Sequence, residues 1–160
     1  MGSSPTGVLA YGYALGGAGG WNISEVDEYD GIDPAKVTWY DDDDEEDDFT
    51  KQAERRLLDA SGFTETYEDG HEGYFARERE AKARLGVEFY GHGYDEGQVY
   101  ALVTKTITVD WGESKVLDLP ALLAEPAEKG WDDKLRAALT ALGITPTQEQ
   151  PAWLLCTYYG

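Results

Sequence analysis

An α+β domain is the fold class this chain predicts: a small mixed or antiparallel sheet of three to five strands packed with three to four helices. Three observations lead there. The run Val99–Val109 (VYALVTKTITV) is rich in β-branched residues and reads as the clearest strand. Two segments, Phe49–Ser61 and Trp131–Leu142, carry apolar residues at helical spacing, and a glycine follows each. At 160 residues the chain is of single-domain size, so residues 1–160 form one unit around a real core.

The elements follow in order. Val8–Tyr13 (VLAYGY) is short, apolar and aromatic, as a strand is. Gly16–Gly20 (GGAGG) predicts a flexible loop. Residues 22–48 are acidic and irregular, although Val37–Tyr40 has strand-like composition. In Phe49–Ser61, Phe49, Ala53 and Leu57 share one helix face with Leu58 alongside, and Asp48 or Thr50 can cap it. Gly62 is its stop. Tyr74–Leu85 predicts a surface helix closed by Gly86, with a thin stripe of Tyr74, Ala81 and Leu85 and a favourably ordered Glu78–Lys82 pair. Val87–Tyr90 is a second strand.

Thr106–Val109 and Lys115–Leu117 suggest a hairpin through Asp110–Ser114. Asp118 caps a short helix in which Pro120 is tolerated. Leu135, Ala138, Leu139 and Leu142 form the face of the best helix, Trp131–Leu142, with Asp132 as cap and Gly143 as stop. A Pro146–Pro151 linker leads to a last strand, Ala152–Tyr159. Strands with helices between them give an α+β layer arrangement.

Charge is the outstanding feature. Net charge is -19, and residues Asp41, Asp42, Asp43, Asp44, Glu45, Glu46, Asp47 and Asp48 are eight consecutive carboxylates. Thirteen of the 32 acids fall between Glu25 and Asp48 with Lys36 as the one base, leaving nineteen elsewhere against thirteen Lys and Arg in the chain. The excess is therefore concentrated in one segment. Trp39 and Tyr40 precede the run and Phe49 follows it, which tethers an anionic loop to an aromatic core at both ends. Such a balance repels phosphate, so direct binding of nucleic acid or of an anionic membrane is disfavoured, and basic proteins are the natural partners. An extended run would set carboxylates about 3.3 Å apart along alternating sides, close enough in scale to a phosphate track to mimic one. Glu25, Asp27, Glu28, Asp30 and Asp33 could add a second row. The bland alternative is a solvated, self-repelling loop with no partner.

Other chemistry is thinly represented. Cys156 alone cannot form an internal disulfide and reads as a buried structural thiol. The acidic run lacks the EF-hand pattern, so weak, nonspecific divalent binding is the expectation and no dedicated metal site. His71 and His92 are the only histidines, without HExxH or CxxC spacing around them. Gly12–Gly20 fits neither a dinucleotide nor a Walker A loop. No catalytic residue and no cofactor is indicated. No apolar stretch approaches the ~20 residues of a membrane span. Met1–Thr6 fits the loose myristoylation pattern, but no polybasic helper follows, and the start reads as a cytosolic N-terminus.

Several stretches, AYGYALGG (Ala10–Gly17), WYDDDDEEDDF (Trp39–Phe49), GFTET (Gly62–Thr66), GYFARERE (Gly73–Glu80) and PAWLL (Pro151–Leu155), give the chain a resemblance to small acidic proteins of bacteriophages that infect actinobacteria. That group has no assigned function. The resemblance implies a setting, a phage-encoded protein in the bacterial host cytoplasm, where small acidic proteins act by blocking host enzymes. The functional expectation is a non-enzymatic protein in which Asp41–Asp48, with Trp39 and Tyr40, occupies a basic site on a host protein, a nucleic-acid-handling enzyme among the candidates. One alternative is a scaffold protein that self-associates through its sheet, the acids only solubilising it. Another is a small-ligand or metal-dependent activity using His71 and His92. The oligomeric state is left open by the sequence.

Overall fold

The computed structural model describes residues 4–159, and at residue 95 the backbone alone. The pattern at Met1–Thr6 begins outside the described residues. The strands are β1 (Pro5–Gly17), β2 (Gly20–Trp21), β3 (Glu88–His92), β4 (Val99–Val109) and β5 (Ala152–Tyr159). The helices are α1 (Phe49–Ala60), α2 (Tyr67–Gly70), α3 (Tyr74–Leu85), α4 (Leu119–Lys129) and α5 (Trp131–Leu142). This is the α+β class expected, with an antiparallel sheet.

β1 organises the sheet. One edge of it pairs with β4, which in turn pairs with β3. Its other edge is shared: Pro5–Gly12 pair with β5, and Gly16–Gly17 pair with β2. Between those partners the edge is completed by one side chain. Gln148 accepts from Ala14 N at 2.9 Å and donates to Gly12 O at 2.8 Å, as a strand would. Because β1 is covered on both edges and both faces, its central residues are apolar without a break.

The sheet curls. A flat sheet would hold β5 and β3 about 14 Å apart, with two strands between them. Instead Tyr158 stacks on His92 with ring centroids 5.1 Å apart and meets Tyr90 at 6.3 Å. Gly93 permits this closure. Its φ is 89°, and a Cβ there would fall 2.1 Å from Gly97 O and 3.1 Å from the Tyr158 Cβ. Two cores result. Inside the curl lie Val8, Ala10, Tyr90, Ala101 and Val103. Outside it, α1 and α5 cover Tyr11, Tyr13, Leu15, Phe89 and Leu102 with Phe49, Leu57, Leu135 and Leu142.

Several local expectations are corrected. Gly16–Gly20 is no loose loop but a hairpin from β1 into β2. Gly16 has φ 128°, and a Cβ there would lie 2.2 Å from Gly20 O, so only glycine allows the return. Val37–Tyr40 forms turns and no strand, because Lys36 N and Val37 N both donate to Asp33 O and Tyr40 N donates to Val37 O. The hairpin into Lys115–Leu117 does not form. Thr106–Val109 extend the long ladder with Gly7–Ala10, which offers more pairing than a three-residue strand could. Asp132 does not cap α5. Gly130, in a left-handed conformation, both ends α4 and precedes α5, so Asp132 already lies in the first turn. The helix count exceeds expectation by α2, a single Thr66-capped turn too short to show a period. Cys156 is half-buried against the inner core, and burial pushes its thiol up.

Tyr11 links the sheet to α5: its hydroxyl donates to Asp132 Oδ1 at 2.7 Å. Burial, then the hydrogen bond and charge of Asp132, push its pKa up to about 12. The folded value lies above the unfolded one near 10, so this stabilisation is complete below pH ~10 and is lost as pH rises toward 12. Tyr11→Phe is expected to cost about 1–2 kcal/mol at neutral pH. The same change makes the decline in stability between pH 10 and 12 shallower. Urea unfolding across that range checks both effects.

Candidate functional site

The acidic run is where exposed carboxylates are concentrated, and the structure shows how it is built. Phe49, the first residue of α1, is 6% exposed and meets four other rings. Trp39 stacks on it at 5.2 Å, and Tyr40 meets it edge-on at 5.0 Å. Trp21 and Phe89 complete the set at 5.0 and 5.6 Å. Trp39 also donates from Nε1 to Leu142 O at 2.7 Å, which fixes it to the end of α5. Both ends of the acidic run therefore leave from one aromatic cluster, as the flanking residues suggest.

Between those anchors all eight carboxylate residues are exposed, and the N–H groups of Asp41, Asp43, Asp44, Glu46 and Asp47 are hydrogen-bonded. Asp41 Oδ1 accepts from Asp43 N, and Asp44 Oδ1 accepts from both Glu46 N and Asp47 N. Asp48 Oδ1 accepts from Lys51 N and caps α1, a contact worth ~1 kcal/mol. Gln52 spans the loop. It accepts from Asp41 N at 2.8 Å and donates to Asp41 O at 2.9 Å and Asp47 O at 2.8 Å. The extended phosphate-like track is thus corrected to a compact set of turns, because short acidic side chains capture nearby N–H groups. Those donors, Asp47 N ahead of Glu46 N, hold the Asp44 carboxyl below the usual carboxylate range. Tyr40 is affected oppositely: burial, then Asp42, Asp48 and Asp41, push its hydroxyl up.

The upstream acids behave differently. Asp27 Oδ1 accepts from Tyr29 N and Gly31 N, Asp33 Oδ1 from Ala35 N, and Glu25 Oε1 from Thr145 N. All three are partly buried, Asp27 and Asp33 shaping local turns and Glu25 tying the segment to Thr145, whereas Glu28 and Asp30 are exposed. A second row of five free carboxylates is not what they make.

One carboxylate oxygen each from Asp41, Asp42 and Asp43 lies within 4.8 Å of the others. All three residues are exposed, so water would supply most of the shell of any hard cation held there, a weak and unselective arrangement. The histidines do not converge. His71 follows α2 and packs on Tyr67, while His92 ends β3 among Tyr90 and Tyr158. Neither belongs to a metal-ligating group among the described residues.

A surface groove of about 480 Å³ went unpredicted. Leu57, Leu85, Val87 and Phe89 line it, with Glu54 and Lys82 at its mouth 3.8 Å apart. Burial pushes the Glu54 carboxyl up against the pull of Lys82. The sequence shows the Glu78–Lys82 pair within α3, but nothing in it signals that Lys82 also reaches α1. Among the described residues, no helix is long and apolar enough to cross a membrane.

No family model, curated protein or solved structure matches the chain.

Gln52→Ala removes three loop contacts without touching the aromatic cluster. It is expected to cost about 1–2 kcal/mol and to open the loop to a Glu-specific protease at Glu45 and Glu46. Timed digestion against the parent protein measures it. Phe49→Ala, by contrast, is expected to lose about 3–5 kcal/mol and to destabilise the whole domain.

Proposed function

We propose that the protein is a non-enzymatic binding protein whose acidic loop occupies a basic site on another protein, in competition with nucleic acid. The observation that supports this is the anchoring of Asp41–Asp48: eight exposed carboxylates on a loop tied to Phe49 and clamped by Gln52. A loop already shaped before docking loses little conformational entropy on binding, so its electrostatic attraction is not consumed by ordering. Its charge steers association toward positive surfaces and away from phosphate. Half-buried Trp39 and Tyr40 lie beside it and offer apolar contact at the rim.

The turn-built shape fits a pocket or cleft that grips phosphates better than a long duplex groove. A nuclease, a defence effector or a transcription component presents such a site. The resemblance to phage proteins adds the setting, a phage-encoded inhibitor acting in a bacterial host cytoplasm. No cofactor and no catalytic residue enters this reading.

A pull-down from bacterial lysate, comparing the parent with an Asp41–Asp48 Asn/Gln version, tests it. The parent is expected to retain a basic nucleic-acid enzyme that elutes as salt rises from about 50 to 300 mM, since exposed charges are screened over a shortening Debye length. The neutralised version, with its fold verified by circular dichroism, is expected to retain none. Equal recovery by both versions would contradict the reading.

A further inference from the structure

Between α1, α3 and the start of β3 lies the groove of about 480 Å³. That volume falls within the range of about 300–1,000 Å³ usual for pockets that take small organic molecules. Leu57 and Leu58 of α1, Leu85 of α3, and Val87 and Phe89 give it an apolar lining. Glu54, Lys82 and Glu88 are its charged lining residues. An apolar lining with a few ionisable groups is the usual make-up of a ligand site.

The charges there are unbalanced and loosely paired. Lys82 is the one ion-pair partner of Glu54 among the described residues, at 3.8 Å, and it also lies 3.6 Å from Glu78. Both distances are longer than a hydrogen bond. The Lys82 side chain is 45% exposed, so little holds it in place. Burial pushes the Glu54 carboxyl up, Lys82 opposes this, and Glu88, Glu78 and Asp48 add to the push. A second ammonium, that of Lys134 on α5, comes close to Gly86 of the lining. Four carboxylates therefore stand against two ammonium groups.

The occupant follows from that balance. An anion would meet the carboxylates. A neutral apolar body would strip more water from Glu54, whose charge burial already disfavours, and would return nothing for it. A hard metal ion would find carboxylate oxygen on one side and apolar side chains on the other. An amine carried on an apolar body avoids each of these costs. Its ammonium compensates Glu54 while its body covers the apolar lining.

We propose that the groove between α1, α3 and β3 binds a small organic amine, with its ammonium on Glu54 and its apolar body against Leu57, Leu85, Val87 and Phe89. Lys82 holds the ammonium position until the amine enters, and then keeps Glu78, its i, i+4 partner on α3. The site is separate from the exposed carboxylates of Asp41–Asp48. It stands whether or not those carboxylates engage a basic protein.

Titration of the protein with hexylammonium, followed through the methyl resonances of Leu57, Leu85 and Val87, tests this, with hexanol and hexanoate as neutral and anionic matches. Hexylammonium is expected to shift those methyls saturably. Hexanol and hexanoate are expected to bind at least about tenfold more weakly, because neither makes the charge-assisted contact to Glu54. Glu54→Gln keeps the shape of the side chain and is expected to weaken hexylammonium by about tenfold with an unchanged circular dichroism spectrum. Lys82→Met removes the competing ammonium and is expected to tighten binding severalfold, a gain that loss of folding cannot imitate. Absence of a saturable methyl shift would overturn the proposal, as would hexanol binding as well as hexylammonium. Shifts confined to Asp41–Asp48 would do so too, since general attraction to an acidic loop predicts them. Tighter binding of an acetylated arginine amide would assign the groove to a partner's side chain instead.

Discussion

The packing of rings around Phe49 is the constraint on which the rest of the structure depends. Phe49 joins β2 through Trp21, β3 through Phe89 and the acidic segment through Trp39 and Tyr40, while starting α1 itself. Burying an aromatic side chain contributes roughly 2–3 kcal/mol, and each well-placed ring pair adds about 1 kcal/mol. Within Asp41–Asp48 itself no residue is buried. Without this cluster, eight like charges would have no reason to stay near the sheet. Two unit charges 4 Å apart in water repel by about 1 kcal/mol, and the run contains many close pairs.

Backbone satisfaction is the second theme, and two glutamines carry it. Gln148 completes the edge of β1 between β5 and β2, and Gln52 holds both ends of the acidic loop. In each place a side-chain amide supplies both a donor and an acceptor where the backbone has no strand to pair with. The carboxylates contribute as well. Asp41, Asp44 and Asp48 accept N–H groups of their own loop, so part of the anionic charge shapes the surface that displays it. The charge is thus presented in a definite arrangement, which a binding role requires and a solubilising role does not.

How much of this is legible in the sequence depends on whether a feature repeats. α1, α3, α5 and β5 announce themselves because apolar spacing, glycine stops or β-rich composition recur over many residues. The acidic run and its aromatic flanks are equally plain. Single contacts are not. Nothing about Gln52 or Gln148 distinguishes them from surface glutamines, and Asp132 looks like a helix cap until Tyr11 is seen to reach it. The curl of the sheet is hidden too, since it depends on Tyr158 meeting Tyr90 and His92 across three strand spacings. Extended geometry for the acidic run is the natural expectation from repulsion alone. Turns prevail because Asp41, Asp44 and Asp48 each find an N–H two or three residues on.

The most direct measurement is the backbone order of residues 41–48 by ¹⁵N relaxation. A loop pinned by Phe49 and clamped by Gln52 has order parameters near 0.85, matching those of α1. Values below about 0.6 through Asp41–Asp48, with α1 itself rigid, would contradict an ordered anionic surface and leave a solvated tether in its place.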